Sequence, residues 1–80
     1  MSARVKLPDA LTGLTRSELE RVIYEAAMSR DDTLIATRYI VEKVPQIDIA
    51  VELGWDRWTI SHRMPEIFNT VSYTAKKLFP

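Results

Sequence analysis

Arg57, Trp58, Ser61 and His62 are the side chains of this sequence best suited to meet a polar, anionic partner. Spaced as they are on a helix whose Ile60 and Met64 face a core, all four turn outward together. An arginine so placed can donate in bidentate fashion to guanine in a major groove, and a serine can bond a base or a phosphate. His62 can donate to a phosphate or a base acceptor. Arg63 on the flank, with Lys43, Lys76 and Lys77, is suited to phosphate contacts. Trp58 is costly to leave in water, so it must meet something apolar: a thymine methyl, the N-terminal arm or a second subunit. Plainer readings stand beside these, with Arg57 as a solvated charge and Trp58 as a core or dimer residue.

Other chemistries find little support. The chain has one histidine and no cysteine, so it can assemble neither a Cys/His zinc site nor a disulfide framework. The paired carboxylates Asp31 and Asp32 have no base or further ligand near them in sequence, and helix capping accounts for them. With two glycines, no phosphate-cradling loop and no nucleophile–base spacing, neither an enzyme nor a cofactor is expected. No apolar run reaches the ~20 residues of a membrane span, and no signal-peptide core is present, which predicts a cytoplasmic protein.

The outward four need a scaffold, and the stretch Gln46 to Met64 supplies it. Ile49 and Leu53 give one apolar helix face, with Ala50 as the small residue where two helices cross. Gly54 takes the corner without a Cβ penalty, Trp55 fills the apolar position of the turn, and Asp56 is placed to cap the second helix. This predicts a helix-turn-helix over 46–64. Upstream, Thr15 and Glu18 have capping-box spacing ahead of Leu19, Val22, Ile23, Ala26 and Ala27, predicting a helix over about 16–28. Ser29 and the Asp31–Asp32 pair mark the start of another, to about residue 43, with apolar residues over most of its circumference. Pro45 is placed to open the next at its first position. Pro65 interrupts the second motif helix, and Ile67, Val71, Ala75 and Leu78 keep a helical period beyond it, so a separate last helix is expected over 65–78.

Eighty residues make one domain. The organisation predicted is a loose arm over 1–14, in which Leu11 and Leu14 pack back, and a single helix-turn-helix domain over 15–80. The fold class is all-α, a small bundle of four to five helices. Formal net charge is zero, yet the charge is unevenly spread. The middle of the chain is acidic, whereas Arg57, Arg63, Lys76 and Lys77 stand against Glu66 alone from residue 57 onward. That polarity is what an electrostatic footprint for nucleic acid requires.

The run Arg38-Tyr39-Ile40-Val41-Glu42, then Ile49-Ala50 and Leu53-Gly54, then Thr59-Ile60 and Arg63-Met64, resembles region four of bacterial sigma factors. It is also similar to the small sigma-like regulators of phages and mobile elements. The likeness covers roughly residues 30–68. It implies a transcriptional regulator that binds double-stranded DNA and also touches RNA polymerase, although the chain has no room for the sigma domain that melts promoters. A homodimer is expected, because one recognition helix makes few contacts. The alternative is a protein-interaction module of the same fold that binds RNA polymerase, a sigma factor or a repressor through Trp58 and the acidic middle.

Overall fold

The structure, a computed structural model, describes residues 7–80; Arg4 and Lys6 of the expected arm lie outside that range. Among the described residues every regular element is helical, in keeping with the all-α bundle expected. Three helices begin at a short polar side chain that takes up an N–H group left without a partner in the first turn. Glu18 N–H donates to Thr15 Oγ1 at 3.2 Å and Thr15 N–H donates to Glu18 Oε1 at 2.8 Å, the reciprocal box that opens α1 (Arg16–Glu25). Asp32 N–H donates to Ser29 Oγ at 3.2 Å at the start of α2 (Arg30–Ala36). Thr59 N–H and hydroxyl both donate to Asp56 Oδ1, at 2.8 and 2.9 Å, where α4 (Arg57–Leu78) begins.

α1 stops short of residue 28 because the chain turns at Ala27, which adopts a left-handed φ of 52°. α2 does not run on as an α-helix either. It widens into a π-helical turn, Thr37–Val41, with Glu42 N–H donating to the Thr37 carbonyl at 3.0 Å, five residues back. The cause lies in the apolar pattern: Ile35 and Ala36 are buried, and so are Ile40 and Val41. An α-helix would turn residues five apart by about 140° from one another. The wider turn lets both pairs face the same core.

α3 (Gln46–Leu53) starts after Pro45, which sits one place earlier than expected, as the cap. It ends at Gly54, φ 73°, where Trp55 N–H donates to the Ala50 carbonyl at 2.9 Å and Gly54 N–H to that of Val51 at 3.2 Å. This left-handed closure satisfies the last carbonyls and reverses the chain within three residues. α4 then packs along α3, α1 and α2.

The separate helix expected over 65–78 does not form. α4 is continuous through Pro65 for 22 residues, about 33 Å. The proline has no N–H for the Ser61 carbonyl, but both residues lie on the exposed side, where water can donate to that carbonyl in place of the missing N–H. What outweighs the lost bond is burial on both sides of it, since Ile60, Met64, Ile67, Phe68, Val71 and Ala75 all join one core.

Within the expected arm Leu11 and Leu14 do pack back: Asp9–Leu11 form a 3-10 turn against α4, and Leu11 is 1% exposed at the heart of the cluster, with Leu14 packed on its edge. No helix among the described residues is long and apolar enough to cross a membrane.

Candidate nucleic-acid interface

The Gly54 turn delivers α4 with one face of its first two turns on the core and the other open to solvent. Ile60 and Met64 point inward, fully buried, as expected. By the same helical period Arg57, Trp58, Ser61 and His62 are all exposed. Trp58 is 68% exposed, so the core reading of this residue is removed, whereas Trp55 packs partly buried against the core. The Trp58 and His62 rings stand one turn apart with centroids at 3.8 Å and a tilt of 42°, forming a single aromatic platform. Arg57, beside it, takes part in none of the ion pairs among the described residues.

Ser61 donates its hydroxyl to Gln46 Oε1 at 2.9 Å. This ties the first residue of α3 to the exposed edge of α4. Gln46 is a neighbour of the site that its sequence position alone did not suggest. Lys43 stands three residues before Gln46 in the chain, exposed, with a left-handed φ of 58°.

The other expected phosphate contacts are arranged differently. Arg63 is engaged inside the protein: its Nε and Nη2 donate to the two carboxylate oxygens of Asp32 at 2.7 and 2.8 Å. Asp32 retains 13% of its side-chain exposure and Arg63 39%. The pair therefore clasps the start of α2 to the middle of α4. No local motif announces it, because the partners are 31 positions apart. Lys76 and Lys77 sit in the last turn of α4, about 28 Å along the axis from Arg57. Lys77 Nζ lies 5.2 Å from the centre of the Tyr73 ring. There the two line a shallow open groove with Glu25 and Leu78. The structure thus gathers Arg57, Trp58, Ser61 and His62 with Gln46. It does not bring Lys76 or Lys77 to that edge.

Two carboxylates around the motif are held below their ordinary range. The Thr59 backbone N–H, then its hydroxyl, stabilise the Asp56 anion. The Arg38 guanidinium does the same for Glu52, donating from Nε and Nη2, while its Nη1 donates to Glu42. Arg38 thereby ties the π-helical turn to α3. Because both folded values lie below the unfolded ones, the stability these contacts contribute is present above the unfolded range. It is lost as pH falls through the lowered folded values.

The Arg63 clasp can be separated from a phosphate contact by a double-mutant cycle on Arg63→Ala and Asp32→Ala. Half-exposure of the arginine screens the pair, so a coupling of about 1 kcal/mol is expected for this charged hydrogen-bonded pair. Arg63→Ala should lower the melting midpoint by about 4–8 °C. A variant that melts like the wild type yet binds DNA with a weaker salt dependence would contradict the clasp. No family model, curated protein or solved structure matches the chain.

Proposed function

We propose that this protein is a sequence-specific DNA-binding transcriptional regulator that lays the first turns of α4 in the major groove, with α3 and α4 acting as a helix-turn-helix. The observation that carries the reading is the co-exposure of Arg57, Trp58, Ser61 and His62 at the N-terminal end of a helix braced on its opposite face by the core. The N-terminal residues of a recognition helix are those that reach base edges. Arg57 is assigned to a guanine, the Trp58–His62 platform to an apolar base edge and a nearby acceptor, and Lys43 to a phosphate. The likeness to sigma region four adds RNA polymerase as a further partner. A homodimer on a pseudo-palindrome would double the few contacts that one such edge provides.

Selection from a random duplex library with the purified protein tests the reading. A defined consensus is expected, bound with an affinity that falls steeply with salt. Absent or salt-insensitive binding overturns it. Within that assay, Arg57→Ala should cost about 1–3 kcal/mol and relax preference at one position. Lys43→Ala should weaken all sequences alike and lower the salt slope by about 1. Lys76→Ala, far along α4, should leave that slope nearly unchanged unless the duplex follows the whole helix.

A second reading, an interaction module for RNA polymerase, a sigma factor or a repressor through Trp58 and the acidic middle of the chain, draws also on α3. Ile47 and Val51 on the outer face of α3 are 55% and 77% exposed, flanked by the acidic Asp48 and Glu52. A nuclease-resistant protein partner retained without DNA would favour it.

A further inference from the structure

The bond between Ser61 and Gln46 has a direction, and the direction limits what Ser61 can read. A serine hydroxyl carries one hydrogen and two lone pairs. Its hydrogen points to Gln46 Oε1 at 2.9 Å, an acceptor fixed on the first turn of another helix. Gln46 is half-buried and Ser61 exposed, so the lone pairs of Ser61 are what remains for a partner outside. The outward chemistry of position 61 is therefore that of an acceptor alone.

Base edges in the major groove divide on this property. Adenine N6 and cytosine N4 carry amino hydrogens, whereas guanine O6 and N7 and thymine O4 are acceptors. Two acceptors facing each other share no hydrogen, so for the Ser61 hydroxyl to donate outward either its bond to Gln46 breaks or the Gln46 amide turns over to donate instead. We infer that Gln46 is a positioning residue that sets the polarity of Ser61, so that position 61 selects an adenine or a cytosine, through its exocyclic amino group, on the contacted strand. The inference rests on the DNA-binding reading above and deepens it. Discrimination is limited to the worth of one neutral hydrogen bond, about two- to tenfold in affinity.

The test begins with the duplex selected by the wild-type protein. The position read by residue 61 is the one whose preference Ser61→Ala removes. There, adenine or cytosine should be favoured over guanine and thymine by about two- to tenfold. Gln46→Ala, which releases the hydroxyl to donate or accept, should level the four bases at that position and leave the Arg57 position selective. Gln46→Glu keeps an acceptor and adds a charge, so it should weaken binding at all sequences while retaining the preference. With the wild-type protein, an analogue of the selected base that lacks the amino group should reproduce the loss without touching the fold. A guanine or thymine preference at that position overturns the inference, as does a preference unchanged in Gln46→Ala or lost in Gln46→Glu. It also fails if Ser61→Ala alters no position while Arg57→Ala still relaxes its own, and the DNA reading then stands. If the wild type selects no duplex, that reading falls and the inference with it.

Discussion

Leu11→Ala is expected to destabilise the protein by about 2–5 kcal/mol, lowering the melting midpoint by about 10 °C or more for a domain of this size. The side chain is 1% exposed and belongs to the same cluster as Ile60, Met64 and Val71. Truncating it leaves a cavity lined by side chains held on several helices, and such linings collapse only partly. A small domain has a total stability of about 5–15 kcal/mol, so the loss is a large fraction of what is available. Denaturant unfolding followed by circular dichroism measures it. A change within about 0.5 kcal/mol, the usual size for a surface substitution, would mean that the segment before α1 is an appendage after all.

Trp58→Ala should have the opposite profile, with little effect on folding and a large one on recognition. At 68% exposure the ring contributes little to the core, so the unfolding free energy should stay within about 0.5 kcal/mol of the wild type. If the platform it forms with His62 is buried against a duplex, losing that apolar contact removes about 1.5–3 kcal/mol, or roughly 10- to 100-fold in affinity. Titration of a selected duplex by fluorescence anisotropy reads the difference. Should DNA affinity survive while capture of a protein partner disappears, Trp58 belongs to the interaction surface, together with Ile47 and Val51.

The parts of this fold legible in the sequence were those governed by neighbouring residues. Thr15 with Glu18, Ser29, Gly54 and Asp56 each act over three to five positions, and each caps or turns where its chemistry predicts. The inward pair Ile60 and Met64 follows from period alone, and the outward set follows from that pair. Where the expectation failed, a distant contact outweighed a local rule. Pro65 carries a strong local signal to stop a helix, but apolar burial on both sides of it keeps α4 whole. The packing of Leu11 was expected, but its flanking Pro8 and Gly13 name no partner for it, and only the surface of α4 shows where it goes. The π-helical turn did leave a trace, the five-residue recurrence of Ile35 with Ile40 and Ala36 with Val41, hidden in a segment that reads as apolar all round. Arg63 and Gln46 gave no such trace, since Asp32 and Ser61 reach them from 31 and 15 positions away.

The continuity of α4 through Pro65 also bears on how the helix moves. Its hydrogen-bond ladder lacks one rung between the turn carrying Ile60 and the turns carrying Ile67, Phe68, Val71 and Ala75, and a helix bends most cheaply at such a gap. Both halves are anchored, the first by Ile60 and Met64 and by the Arg63–Asp32 pair, so any bend at the gap is a matter of a few degrees, enough to tilt the Trp58 edge toward a groove without unpacking either side. Amide exchange should record this as a local dip in protection at the amides flanking Pro65, with slower exchange on either side of it.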